Sequence, residues 1–528
     1  MNRRGILSVL SVFIAVFYGC SDSESLIFEK VSSANSGVTF VNQVENTPDF
    51  NIQNYLYFYD GGGVAAGDIN NDGLPDLFFT SNLGPNKLYL NKGDFQFEDI
   101  TESAGISHQP ESWSTGVSMA DVNGDGFLDF YLSHVHYLDK KGHNQLFINQ
   151  GDGTFLEMAK EYGLDFEGYS TQGLFYDYNL DGKLDLYLLN HSFHNENTYG
   201  EADILRAIPD ERAGDRLFRN DGDRFTDVTE EAGIFSSALG YGLGIAMSDL
   251  NVDGFPDLYV GNDFHEDDYL YLHQGERVLR GQSNRSGGPF STVYQERLYD
   301  FIGHTSNSSM GNDIADLDND GLPEIFSLDM MPWDRLVFST SGSADPVLIY
   351  ETKKSFGFGE KNNRNTLQHH RGFDERGEPV FAEVAFAKGV ARTDWSWSVL
   401  MADYDLNGYN DIYVTNGIPA RPNDLDYIAA LRSLRQSYRG EELKQKQYDL
   451  IPFMAQAKVP DVMFANQGAM VFEEKTAAWG LMEASWSNGA AYADLDNDGD
   501  LDLVVNRINQ EAVIYRNRTL DGDKDKDG

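Results

Sequence analysis

One nine-residue arrangement of oxygen-bearing side chains occurs seven times along this chain. The first copy reads DINNDGLPD, and the others read DVNGDGFLD, DYNLDGKLD, DLNVDGFPD, DLDNDGLPE, DYDLNGYND and DLDNDGDLD. Position one is Asp68, Asp121, Asp177, Asp249, Asp316, Asp403 or Asp494. Position three is Asn70, Asn123, Asn179, Asn251, Asp318, Asp405 or Asp496. Position five is Asp72, Asp125, Asp181, Asp253, Asp320, Asn407 or Asp498, and position nine is Asp76, Asp129, Asp185, Asp257, Glu324, Asp411 or Asp502. Glycine always stands at position six, where a tight loop can require a positive φ. Alternate residues of such a loop turn their oxygens inward, which suits a hard cation: calcium takes roughly six to eight oxygens at about 2.3–2.6 Å. A helix–loop–helix calcium hand shares the first six positions but closes with glutamate at position twelve. Here the closing acid stands at nine and a strand follows, so the expectation is about seven structural calcium sites of a different kind. Glu324 and Asn407 set loops five and six apart in expected affinity.

The flanking segments say what must position these loops. A small-residue strand precedes each one, as in GGGVAAGD, STGVSMAD, GLGIAMSD and SNGAAYAD, and an apolar strand such as DLFFTSN, DLYLLN or DLVVNR follows. NKLYLNKG or NQLFINQG comes next, and then FQFEDITESAGI or DRFTDVTEEAGI. Alternating β-branched and aromatic residues bounded by Gly, Asn and Asp read as strands and turns. Each unit is therefore four strands with the cation loop between the first and second. Seven such units predict an all-β fold, a seven-bladed β-propeller whose innermost strands need small residues. The seventh unit lacks a fourth strand, and residues 26–40, LIFEKVSSANSGVTF, match the missing pattern. That N-terminal strand is expected to close the last blade and cover its edge.

Composition limits the partners. Asp and Glu number 84 against 40 Lys and Arg, for a formal charge of −44 over 528 residues. Such a field repels phosphate backbones and argues against nucleic acid. The chain is also 41% hydrophobic and 13% aromatic, which is a folding rather than a disordered composition. Residues 1–20 have a basic start, a short apolar stretch and then Gly19 and Cys20, the anatomy of an export signal too short for a membrane span. The segment resembles a bacterial lipoprotein signal, which implies lipidation at Cys20, although Phe17 and Tyr18 are bulkier than usual for that class. With one cysteine in the chain, no intramolecular disulfide can staple the fold.

The loops and flanks, GGGVAAGDINNDGLPDL and SNGAAYADLDNDGDLDLVVN among them, resemble the FG-GAP/VCBS repeat family. That family includes the propeller of integrin α chains and bacterial relatives of cartilage acidic protein. The resemblance covers nearly all of the chain beyond the leader, giving an expected propeller over 26–518, a short acidic tether at 21–25 and a polar tail at 519–528. It implies that the backbone carbonyl at position seven joins the calcium ligands. These positions are Leu74, Phe127, Lys183, Phe255, Leu322, Tyr409 and Asp500. It also implies that longer bacterial relatives continue into a further C-terminal domain.

Length differences among the units suggest where recognition occurs. Inserts at 190–215, 329–365 and 417–460 follow the second strands of blades three, five and six, and are expected on the face opposite the loops. Blade four instead carries GERVLRGQSNRSGGPFSTVYQ between later strands. Within the blade-six insert, Leu425, Ile428, Leu431 and Leu434 at helical spacing after Asn423 predict a capped helix packed on the rim. His134, His136, His143, His191, His194 and His265, with Asp263, Glu266, Asp267 and Asp268, are candidates for a transition-metal or catalytic centre. No paired metal spacing joins these histidines, which favours ordinary loop hydrogen bonding. Trp395, Trp397 and Trp486 are expected on innermost strands, where one lining the channel could stack on a sugar.

The expected function is a calcium-binding propeller at a cell surface or outer membrane that serves as a binding or scaffold module for glycan or protein ligands. The alternative is a calcium-dependent carbohydrate-active enzyme, a lyase or hydrolase, though no nucleophile elbow, zinc signature or phosphate loop supports it. A third reading, from the lipoprotein signal alone, is a partner of an outer-membrane import complex.

Overall fold

The structure, a computed structural model, describes residues 26–195, 198–275, 292–342 and 345–521. The expected export signal with Cys20, the expected tether, residues 276–291 of the blade-four insert and the tail from 522 onward lie outside the described residues.

Seven four-stranded sheets form the blades. Blade one runs Val64–Gly67, Asp76–Phe79, Lys87–Asn91 and Phe97–Asp99, all antiparallel. The innermost strands of the others are Ser114–Ala120, Ser170–Tyr176, Gly242–Ser248, Asn312–Ala315, Ser396–Ala402 and Ser487–Ala493. Each innermost strand contacts the next and the seventh contacts the first, so the ring is closed. Crowding at the axis explains the small residues. A Cβ on Gly116 would lie 2.5 Å from the Thr171 carbonyl oxygen, and one on Gly489 would lie 2.7 Å from that of Gly62. The second strands, such as Asp76–Phe79 and Asp411–Asn416, are buried along their whole length, which is why they read as unbroken apolar runs.

The ring closes as the sequence pattern requires. Phe28–Val31 pairs antiparallel with Val513–Asn517, in register from Phe28 opposite Asn517 to Val31 opposite Ile514. Phe28 is 1% exposed, with its ring 5.9 Å from Tyr404 and 6.3 Å from Trp479.

Residues 41–60 form a feature that the repeat pattern does not announce. This strap crosses the mouth of the ring opposite the acidic loops before entering the innermost strand of blade one. Phe50, Tyr55 and Phe58 pack around Trp113, Tyr57 reaches His191 and Phe264, and Asn488 donates to the Tyr59 carbonyl. Its run of aromatic residues thus becomes a second hydrophobic core spanning several blades. Behind it a cavity of about 390 Å³ lies along the axis, lined by the innermost strands, with Tyr55 and Asp60 contributed by the strap.

The inserts of blades three, five and six fold into short helices on the strap side, among them Ala202–Arg206, Val347–Ser355, Leu425–Ser437 and Gly440–Leu450. The N-cap of Leu425–Ser437 is Asp424 rather than Asn423: its carboxylate accepts the Tyr427 N–H at 2.9 Å. A carboxylate one residue later caps the helix and also complements its N-terminal dipole. Ile428 and Leu431 pack on the strap core, Leu434 is half-buried and Leu425 is exposed. Among the described residues no helix is long and apolar enough to cross a membrane.

Candidate metal centres

Each loop is shaped by its own carboxylates. In loop one, the Asp68 side chain accepts the N–H groups of Asp72 at 3.1 Å and Gly73 at 2.7 Å, while Asp72 accepts that of Leu74 at 3.0 Å. The same three bonds recur in loops two, three and four around Asp121, Asp177 and Asp249. They recur in loops six and seven around Asp403 and Asp494. Loop five differs by one bond, because Asp316 accepts from Asn319 in place of the position-five N–H. Asn407 keeps the geometry of position five by accepting the Tyr409 N–H, with one carboxylate charge fewer. At position seven the N–H is thus committed to the position-five side chain.

Position nine is tied differently. Asp76 is fully buried and its two oxygens accept the N–H groups of Ile69 and Asn91, at 3.0 and 2.7 Å. Burial pushes the carboxyls of Asp76, Asp129, Asp185 and Asp411 up to about 7, and those of Glu324 and Asp502 to about 8. The loop's other acids add to this rise. A buried carboxylate facing like charges is the setting that a bound divalent cation relieves. Ligand oxygens of Asp403, Asp405 and Asp411 lie within 4.8 Å of one another, as do those of Asp494, Asp496 and Asp502. Asp316, Asp318 and Asp320 form a similar group. All-oxygen sets of this kind fit a hard divalent cation.

The backbone bears strain at these loops. Besides glycine at six, position four is left-handed: φ is +59° at Asn71, +58° at Leu180, +55° at Val252, +61° at Asn319, +56° at Leu406 and +56° at Asn497. Asparagine tolerates this region and can use its amide there. Asn71, Asn319 and Asn497 each donate to the carbonyl of the position-six glycine in the next blade's loop, at 2.6–2.9 Å. Val252 is β-branched and 58% exposed, so it bears the cost of the left-handed region without a packing return. Replacing it, Val252→Asn, is expected to stabilise the protein by about 1 kcal/mol, read as a higher denaturant midpoint at unchanged slope.

A second repeated residue links the blades and completes each site's frame. Near the end of the third strand, Asn91, Asn149, Asn220, Asn466 and Asn517 each donate to the position-two carbonyl of the preceding blade's loop, at 2.7–2.9 Å. His370 makes the equivalent contact to Leu250 at 3.0 Å. The signal is visible in the sequence as the asparagine of NKG, NQG and NDG, but its partner belongs to another blade. Asn149→Ala removes the bonds to Ile69 and Leu128 together and leaves buried carbonyls unpaired. The expected cost is about 2–3 kcal/mol, measured by equilibrium unfolding.

Loops five and seven gain neighbours that no loop pattern contains. The His369 Nε2 stands 3.2 Å from Asp318 Oδ2 and 4.0 Å from Glu324 Oε1. In blade seven the Arg516 guanidinium leans into the loop, 3.3 Å from Asp496 and 3.6 Å from Asp498.

The loop histidines do not converge on one centre. His134 is buried against Ser114, and burial lowers its pKa to about 3. His136 lies 3.8 Å from Glu167, and His143 is half-buried in its loop. His191 is enclosed by Tyr55 and Tyr57 in the strap core, and burial lowers it likewise to about 3. His194 and His265 do meet, with ring centroids 5.2 Å apart, but His265 Nε2 bonds the Thr198 carbonyl at 2.6 Å. The nearby acids have structural partners: Arg206 holds Glu266 and Asp267 at 2.7 and 2.9 Å, and Asp268 accepts from Tyr259 and Ser309. Asp263 is buried and accepts the Phe264 N–H. Of the tryptophans, only Trp397 lies on an innermost strand and lines the axial cavity. Trp395 and Trp486 each precede their strand by one residue.

With this geometry in place, residues 68–132 match the family described as FG-GAP-like repeat. The matched segment holds the first two loops, whose hydrogen bonds the other loops reproduce, with one exchanged in loop five. The chain is similar to cartilage acidic protein 1 of Xenopus tropicalis, with 27% identity over 42% of this chain and 32% of that protein. It is also similar to the T-cell immunomodulatory protein homolog of Plasmodium yoelii yoelii, with 23% identity over 61% of this chain and 50% of the relative. The matches thus span about a third to a half of the length of these relatives. A solved structure titled "Structure of Dos1 propeller" aligns over 83% of this chain and 75% of its own, with 10% identity and a TM-score of 0.37.

Proposed function

We propose that this protein is an exported calcium-stapled propeller that acts as a binding or scaffold module, held to a membrane through Cys20. The observation that carries this reading is the division of labour between the two faces. Seven loops gather oxygen donors on one face, while inserts and strap build the other. Calcium would be held by the side chains at positions one, three, five and nine, neutralising clustered carboxylates and adding its binding energy to folding.

The partner surface is the insert face. It presents Trp333, Leu336, Val347, Leu348 and Phe453, which are 46–81% exposed, on short helices and their connections. Exposed apolar groups on a rigid scaffold suit a protein or glycan ligand. Immobilised protein is tested against a glycan array and against surface-protein fractions from its source cells, beside a variant with Leu336, Val347, Leu348 and Phe453 changed to Ser. Loss of the bound ligand in the variant, at unchanged melting temperature, is the expected result. Undiminished binding by the variant moves the site off this face. Co-purification with a membrane complex after detergent extraction tests the import-partner reading in the same material.

The axial cavity supports a second reading, a carbohydrate-active site, since Trp397, His191, Tyr55 and Asp60 all line it. Release of reducing or unsaturated ends from polysaccharides, abolished by Asp60→Asn, is the outcome that would favour it.

A further inference from the structure

The geometry points to a transition-metal site at the loop of blade five, made by His369, Asp318 and Glu324, in a ring whose other loops offer oxygen alone. The inference rests on the reading that these loops hold cations, and assigns one of them a different ion. Three side chains from two separate strands and a loop place a ligand atom each within 4.8 Å of one another. The imidazole stands 3.2 Å from one carboxylate oxygen and 4.0 Å from the other. A tetrahedral ion with metal–ligand bonds of about 2.0–2.2 Å separates adjacent ligand atoms by roughly 3.3–3.6 Å, so small side-chain rotations suffice to close the set.

The second observation is the unpaired lone pairs. Glu324 is fully buried; one oxygen accepts the Leu317 N–H at 2.8 Å, and Oε1 faces the imidazole without a hydrogen-bond partner. Asp318 Oδ1 is also buried and unpaired. Leaving a buried acceptor unsatisfied is destabilising, and a cation at this point would offset that cost. The sequence departures agree. Blade five alone has glutamate at position nine, and the extra methylene carries Oε1 toward the third strand, where His369 lies. At the corresponding strand position, blades one, two and four carry the aliphatic Leu90, Ile148 and Leu272. One imidazole with two carboxylates suits zinc, manganese or iron, whereas calcium takes oxygen.

The test uses the full chain stripped with chelator, returned to excess calcium and given one equivalent of zinc, then desalted for metal analysis. The expected result is about one zinc retained per chain. His369→Leu, whose new residue matches Leu90 and Leu272, should weaken zinc binding by more than about 100-fold, beyond what loss of an outer-shell partner costs. It should leave calcium content and melting temperature in calcium unchanged. Glu324→Asp, which restores the acid of the other six loops, should lower zinc retention while keeping the fold. Calcium measured in the same samples reports the other loops separately. If calcium is retained and zinc is not, this inference falls and the structural reading stands. Equal zinc retention by wild type and His369→Leu likewise overturns it, since the ion then sits on other histidines.

Discussion

Removing calcium is expected to lower the melting temperature of this protein by roughly 10–16 °C, the largest effect expected of any single treatment. The magnitude follows from linkage. A site that binds only the folded chain contributes about 2.7 kcal/mol when free ligand is one hundred times Kd, so the six all-oxygen loops contribute up to about 16 kcal/mol. At about 2.1 cal/mol/K per residue, the unfolding entropy of this propeller is on the order of 1 kcal/mol/K. The shift is therefore up to about 16 °C, and less where Arg516 already offsets the charge of loop seven. Scanning calorimetry in calcium and in chelator, with metal analysis of the purified chain, checks it. A shift of only a degree or two would mean that the carboxylates are satisfied within the protein and that the calcium role is wrong.

Loss of the N-terminal clasp has the second largest effect. Phe28→Ala empties a site at the junction of blades six and seven, where Tyr404, Trp479 and Tyr515 share its cluster. The expected cost is about 3–5 kcal/mol, seen as a lower urea midpoint. Deleting residues 26–31 goes further, because Val513–Asn517 then presents an unpaired edge. Exposed edges recruit other strands. The truncated chain is expected to lose its monodisperse peak on size-exclusion chromatography, whereas Phe28→Ala keeps the peak and only melts earlier. A truncated chain that stays monodisperse and equally stable would show that Phe28–Val31 is dispensable to the ring.

The repeat architecture was legible because its signals are local and periodic. Small residues, an acidic loop and an apolar strand recur in every unit, and each reports a constraint that acts within about twenty residues. The strap was not legible. Residues 41–60 belong to no repeat, and their aromatic side chains acquire a purpose only once seven blades leave a mouth for them to cover. The histidines lack a paired metal spacing, which favours ordinary hydrogen bonding over a centre, and Arg206, Tyr259 and Ser309 hold the neighbouring acids in structural bonds. The helix cap moved from Asn423 to Asp424 for a smaller reason, since either residue can cap and only the backbone path selects one.

The sequence by itself determined the seven loops and their donor sets, because nearly all the groups that shape one loop lie within nine consecutive residues, and side-chain direction there follows from the turn. It also determined the closing strand, whose pattern had one open place to fill. Only the tertiary structure decided which residues complete those loops from outside: the asparagines that bridge blades, Arg516 at loop seven and His369 at loop five. These partners arrive from a third strand or a neighbouring blade, and whether their atoms come within bonding reach depends on strand register and on how blades stack around the axis. No spacing along the chain encodes those distances.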